Sequence, residues 1–357
     1  MGTLTEGSNP FALHHELVAD ALRRGRVVPF LGAGVNLCDR PRGVAWQPED
    51  KTFLPSGAEL ARYLAGKFFY PGRERCALAE IAELAQKGGK GEAGLSAERD
   101  LTAEKEKHCL RPDPDLDLLR VSQFGATMLE AGPIYDELHA LFGGNSPPTS
   151  AHRFLASLPP PQPDQCRAED RHLLVATTNY DDLMERAWGE GNYDLVFYVP
   201  DDQPRARFWH QTPGKPALPI ENPNAYPYVF FEHRPVVLKI HGTVDRADQS
   251  HEGFVITEDQ YIEYLAEEPL ENLLPPALVG KMRDQHHLLF LGYSLRDWNF
   301  RVFFRRLKRN SRKYKGWAVL LRSDEAEKQF WIKNGVDIIE QPLDEYLNAL
   351  AEELKNG

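Results

Sequence analysis

No two cysteines stand as a C-x-x-C pair: Cys38, Cys76, Cys109 and Cys166 are scattered through 357 residues. Zinc knuckles and dithiol redox motifs therefore have no signature here, and reduced, structural thiols are expected. No stretch approaches the ~20 apolar residues of a membrane-spanning helix, and no cationic segment leads into an apolar run near the start, so a cytoplasmic protein is expected. Positive charge is in deficit as well. A formal net charge of -11 works against sequence-independent binding to a phosphate backbone, which rests on Lys and Arg contacts, so no direct nucleic-acid partner is expected. The basic stretch from Arg301 to Lys315 is a local exception and reads as a solvated helix face or exit loop. A complete G-x-G-x-x-G is also missing. Leu37 stands where the third glycine would follow Gly32 and Gly34, and a hydride-transferring dehydrogenase loses its main signature.

What is present argues for a folded α/β protein. A chain 42% hydrophobic and 27% charged is not disordered as a whole. Four short apolar runs, Val27 to Leu31, Leu173 to Ala176, Val236 to Ile240 and Leu288 to Leu291, show little polar alternation, as expected of parallel strands with helices on both faces. Ala318 to Leu321 and Val336 to Ile339, with a helix from Asp324 to Lys333 between them, read as the sheet's far edge, and a helix from Leu343 to Leu354 closes the chain. Leu60 to Phe69, Cys76 to Gln86 and Val121 to Phe142 have helical spacing, interrupted by a polar linker from Lys87 to Lys107. Ala151 to Leu158 reads as a short helix before the Pro159 to Pro163 break. The expected organisation is one catalytic domain over residues 1–357. A helical module is inserted at 55–145, and a Pro- and aromatic-rich irregular excursion spans 200–235.

Each of the four central runs ends in a polar or glycine-bearing turn. In an open α/β sheet ligands bind at the carboxyl ends of the strands, so these turns should converge on one crevice. The first, Gly32-Ala33-Gly34, serves equally as a tight structural turn or a cradle for a pyrophosphate. The second, Thr177-Thr178-Asn179-Tyr180-Asp181, can project an amide and a carboxylate into the crevice or merely cap the next helix. In the third, His241 directly precedes Gly242. A histidine there can accept a proton from a ribose hydroxyl or water, and the bland alternative is a core histidine. The fourth, Gly292-Tyr293-Ser294-Leu295-Arg296-Asp297, offers Ser294 for a ribose or phosphate contact. Asp297 serves equally as a first-turn helix carboxylate.

The ordered set Gly32-Ala33-Gly34, Thr178-Asn179-Tyr180-Asp181, Ile240-His241-Gly242 and Gly292-Tyr293-Ser294 resembles the sirtuin-like domains of bacterial anti-phage defence proteins. Ile256 to Tyr261 and the segment around His152 resemble that branch too. The resemblance implies a Rossmann-like parallel sheet with helices on both faces and an inserted helical module. It also implies cleavage of the glycosidic bond of NAD⁺, taken as substrate with no metal. Gly32, Ala33 and Gly34 would hold the diphosphate, and Asn36, Thr178, Gly292 and Asp297 would also line the cofactor site. Asn179 would hold the nicotinamide ribose or attacking water and Asp181 the nicotinamide amide. His241 would be the base, and Ser294 would touch the ribose-phosphate. Asn36 departs from the serine common in such proteins, and the zinc-holding C-x-x-C pairs of protein deacetylases are absent, so no acyl-lysine groove is expected.

Nicotinamide leaves as a neutral molecule from a cationic linkage, so the enzyme mainly has to orient the dinucleotide and supply a nucleophile. Water suffices, giving nicotinamide and ADP-ribose, and an internal nucleophile would give a cyclic product instead. Two rivals are a protein deacylase or ADP-ribosyltransferase, and a non-catalytic subunit sensing NAD⁺ or ADP-ribose. An ungated NAD⁺ hydrolase would be toxic to its cell. A homo-oligomer is therefore expected, with a separately encoded sensor of the HerA-type ATPase or Argonaute type as the partner the resemblance suggests.

Overall fold

The computed structural model describes residues 10–49, 51–70, 116–200, 207–228, 230–231, 233–247, 249–266, 270–283, 286–295, 298–308 and 315–356. The predicted helix Cys76 to Gln86, the linker Lys87 to Lys107, Asp297 and part of the Arg301 to Lys315 stretch lie outside them.

The apolar runs become the spine of one nine-stranded sheet. Its strands in chain order are β1 (Val27–Leu31), β2 (Leu174–Thr177), β3 (Asp194–Tyr198), β4 (Phe208–Gln211), β5 (Leu218–Pro219), β6 (Val236–Lys239), β9 (His287–Leu291), β10 (Gly316–Leu320) and β11 (Val336–Glu340). A separate pair, β7 (Gly242–Thr243) and β8 (Gly253–Phe254), stands between β6 and β9 in sequence. The spatial order is β11-β10-β9-β1-β2-β6-β3-β4-β5. Every neighbour from β11 to β3 runs parallel, whereas β4 and β5 pair antiparallel at the edge. This is an α/β, Rossmann-like fold. The chain visits β2 on one side of β1 and β9 on the other, which makes β1 the switch point where such sheets open a crevice.

Residues alternate between two buried layers, as strand geometry requires. Val27, Leu31, Val175, Val237, Leu289 and Leu291 pack with Val18, Leu22, Tyr346 and Leu350 on one face. On the other, Phe30 meets Phe290, Tyr293, Phe300 and Phe303 at ring distances of 5.1 to 6.2 Å. Burying such runs at about 25 cal/mol per Å² supplies the main favourable energy.

The excursion expected between Pro200 and Pro235 is more regular than its prolines suggested. β3, unmarked in the sequence reading, continues the parallel sheet, and β4 and β5 lie at the edge, where Pro219 costs no ladder bond that a central strand would need. The helical pattern from Val121 to Phe142 is two helices, Leu118–Leu129 and Gly132–Phe142. They part at Glu130 with φ +66°, just before Gly132-Pro133, where proline suits the start of a helix.

The described chain divides into two compact units, one of Met1–Leu54, Leu138–Val255 and Tyr261–Gly357, the other of Pro55–Glu137 and Ile256–Gln260. In the second, helix Gly57–Lys67 packs against Leu118–Leu129. Its start is a capping box: Glu59 N–H donates to Ser56 Oγ at 3.3 Å, and Ser56 N–H to Glu59 Oε2 at 2.8 Å. Ser56→Ala should cost this unit about 1 kcal/mol, read as a lower midpoint in a urea unfolding curve. An unchanged midpoint would mean that the cap is redundant.

Candidate active site

Three turns at the carboxyl ends of adjacent parallel strands build the candidate site. After β1 the chain enters a short 3₁₀ turn, Ala33–Leu37, that buries Asn36. After β2, the Thr177 hydroxyl donates to Leu31 O at 3.2 Å and accepts from Asn179 N–H at 2.9 Å, folding the loop over the end of β1. Asn179 Nδ2 then donates to Gly32 O at 3.3 Å. Asp181 caps the following helix, accepting Leu183 N–H on Oδ1 at 3.1 Å, while its Oδ2 accepts Asn36 Nδ2 at 2.9 Å. The helix-cap and crevice roles of Asp181 are thus compatible, one oxygen for each. Tyr180 turns the other way, its hydroxyl donating to Val255 O at 2.7 Å.

Asn36, Asn179 and Asp181 are all buried, and so is His152. Thr149 N–H donates to His152 Nδ1 at 3.2 Å, which leaves the ring proton on Nε2. Burial pushes the His152 pKa down to about 4, against the pull of the Asp181 carboxylate. One polar atom in the group has no partner among the described residues: Asn36 Oδ1 is buried and accepts nothing. A buried acceptor left open costs about 1–3 kcal/mol, so an unmet oxygen at a strand-end crevice marks a place where a ligand donor would be welcome.

His241 lies just past the end of β6. The next residue, Gly242, has φ +94°, and a Cβ there would fall 1.9 Å from Gly253 O, so only glycine permits the turn into the β7–β8 pair. The imidazole packs edge-on against Tyr261 and Tyr264, with Nδ1 3.1 Å from the Tyr261 hydroxyl. Burial alone holds its pKa down at about 3. The ring is therefore neutral at working pH. If Nδ1–H donates to Tyr261, the Nε2 lone pair is left to accept a proton.

These two histidines make a pH prediction. Both are neutral when folded and have an ordinary value near 6.5 when unfolded, so the unfolded chain binds more protons below that value. Their contribution to stability is complete above about pH 6.5 and declines as the pH falls toward 4 and then 3. The melting temperature should drop between pH 7 and pH 4 in a thermal scan, and a flat curve would remove the idea.

The glycines of the first and fourth turns hold each other. Gly292 has φ +63°, and a Cβ on it would lie 2.3 Å from Val35 N; one on Gly34 would lie 2.6 Å from Gly292 O. Gly34 N–H donates to Gly292 O at 2.8 Å. Close packing of the β1 and β9 turns accounts for both glycines. Thr178 is half-buried in its loop and donates its backbone N–H to Leu31 O at 3.4 Å. Ser294 is exposed beyond β9. Lys239, Glu185 and Tyr261 went unassigned in the sequence. For Lys239 a signal existed: a lysine inside an apolar parallel strand is rare unless paired.

Residues 173–339 match the family model of the SIR2-like domain. The match covers a little under half of the chain. Such a domain implies NAD-dependent activity of the sirtuin superfamily. The SIR2-like stretch holds Asn179, Asp181, Lys239, His241, Gly292 and Ser294, while the Gly32 to Asn36 turn precedes it. Among solved structures the chain is similar to one titled "Structural Basis for the Mechanism and Regulation of Sir2 Enzymes", at 13% identity and a TM-score of 0.34 over 96% of this chain and 97% of that one. No curated protein matches the chain. Among the described residues, no helix is long and apolar enough to cross a membrane.

Proposed function

We propose that the chain is an NAD⁺ glycohydrolase, cleaving NAD⁺ to nicotinamide and ADP-ribose. What supports this reading is that the buried turns after β1 and β2 are tied together by two side-chain bonds, Asn36 to Asp181 and Asn179 to Gly32 O, with His241 just past the end of the adjoining β6. The unpartnered Asn36 Oδ1 fits a substrate rich in hydroxyl and amide donors. In this mechanism the diphosphate lies along the Gly32 to Gly34 turn and Ser294 meets the ribose-phosphate from the β9 side. Asp181, held by Asn36, receives the carboxamide of nicotinamide. Asn179 orients the ribose or the attacking water, and neutral His241 takes up the proton released as the new bond to oxygen forms. Such general-base help is worth ~10²–10⁴-fold.

Because the reaction destroys a shared cofactor, activity is gated, and we place the gate in self-association and in a separately encoded sensor of anti-phage defence. The test is release of nicotinamide from NAD⁺ by the full chain, followed by mass detection at low and high protein concentration. Stoichiometric nicotinamide and ADP-ribose support the hydrolase. Folded protein that binds NAD⁺ and leaves it intact, even when concentrated, would count for a sensing subunit.

A further inference from the structure

Lys239 is fully buried in β6, two residues before His241, in a strand otherwise made of valine and leucine. An ammonium has three N–H donors, and each finds an acceptor here: Glu185 Oε1 at 3.0 Å, Tyr180 O at 3.2 Å, and Asp181 O in a closer contact. Glu185 is buried too, on the helix Leu183–Trp188 that follows the loop; burial pushes its carboxyl up, and the Lys239 ammonium draws it partly back.

Stability is a poor reason to keep such a pair. Desolvating two charges costs several kcal/mol, and replacing a buried ion pair by apolar residues of similar volume is often neutral or stabilising. What an apolar pair cannot do is hold carbonyls. The two carbonyls that Lys239 holds belong to the residues on either side of the Tyr180–Asp181 peptide bond. Their direction fixes the two peptide planes that flank the Asp181 Cα, with Tyr180 O also accepting the Val244 N–H at 2.9 Å. His241 follows two residues after Lys239, just past the end of β6, so one side chain ties the approach to the base to the Tyr180–Asp181 loop.

We propose that Lys239, locked in place by Glu185, is a positioning residue of the site: by fixing the carbonyls of Tyr180 and Asp181 it sets the aim of the Asp181 side chain relative to His241. The catalytic part of this inference rests on the NAD⁺-cleavage reading; the geometric part does not.

The test uses the full chain with the paired substitution Glu185→Leu with Lys239→Met. Three quantities are read: the thermal midpoint, the kinetics of nicotinamide release over a range of NAD⁺ concentrations, and amide hydrogen exchange across residues 178–183. The expected result is a midpoint close to wild type and kcat lower by on the order of 100-fold, the scale of a misplacement of about 1 Å. Most of the loss lies in kcat rather than KM, and the loop amides exchange faster than in wild type. A folded variant with wild-type kcat, or with loop amides as protected as before, overturns the proposal. If the double variant does not fold, Glu185→Gln takes its place, because it keeps an acceptor for Lys239 but removes the charge that locks it. Faster loop exchange with a partial loss of kcat is then expected, and wild-type values of both overturn the clamp. Should wild type itself release no nicotinamide, the hydrolase reading fails on its own, and the exchange comparison alone decides the clamp.

Discussion

His241→Ala should lower nicotinamide release from NAD⁺ by about 10²–10⁴-fold, with most of the loss in kcat. Asn179→Ala should fall in the same range. The histidine is buried, packed against two tyrosines and neutral, so alanine removes a proton acceptor without stranding a charge. Its low basicity, about 3 in the free protein, follows from burial alone. A diphosphate entering the same crevice brings negative charge that favours the imidazolium and raises that value in the complex. The acid limb of kcat/KM, which reports the free enzyme, should therefore lie lower than the acid limb of kcat, which reports the complex. Tyr261→Phe removes the hydroxyl at Nδ1 and should cost less than His241→Ala, because it frees the tautomer without deleting the acceptor. If His241→Ala and Asn179→Ala both keep wild-type rates, the site has been misassigned whatever the chain does to NAD⁺.

The central sheet was legible because buried parallel strands need apolar runs, and β1, β2, β6 and β9 carry them, with Lys239 in β6 as the charged exception. The strand-end turns were legible for the same topological reason. β3 was not: Asp194 opens it, leaving only the four apolar strand residues Leu195 to Tyr198 just before the Pro-rich segment. β4 and β5 hid among prolines, since edge strands tolerate residues that central ones exclude. Within the site, the pairing of Asn36 with Asp181 spans 145 positions of sequence and depends on how two turns face each other, which spacing cannot supply. The phosphate and packing roles of Gly32 and Gly34 were equally open in the sequence. The contacts with Gly292 and Tyr293 give both glycines a packing role, which is compatible with a diphosphate along the same turn. Lys239 shows a subtler limit. Counting it into an apolar run found the strand and passed over the one side chain there that needs three acceptors.

The opposite ends of the strands follow a different logic, and the largest stability effect is expected there. Asp170 sits just before β2, its Oδ1 2.9 Å from Lys281 Nζ and 2.7 Å from His286 Nε2, its Oδ2 accepting Arg167 Nε at 3.0 Å. Lys281 also donates to Glu169 O at 2.9 Å and Gly25 O at 3.4 Å, so the cluster bolts together the approaches to β1, β2 and β9. Burial opposes the carboxylate charge, but the hydrogen bonds from His286 and Lys281 outweigh it and hold Asp170 well below the usual carboxylate range. That stability is present above the ordinary carboxylate value near 4 and is lost only as the pH falls below it, a window lower than that of the buried histidines. Asp170→Ala strands a buried Lys281 and should cost about 3–5 kcal/mol. The measurement is the guanidinium midpoint at pH 7, which should fall with little change in slope. Activity per folded molecule should survive, because the cluster lies at the amino ends of the strands and the reacting groups at their carboxyl ends. A variant with an unchanged midpoint, or one that stays fully folded yet loses nicotinamide release, would show that the two ends of the sheet do not divide stability from chemistry in this way.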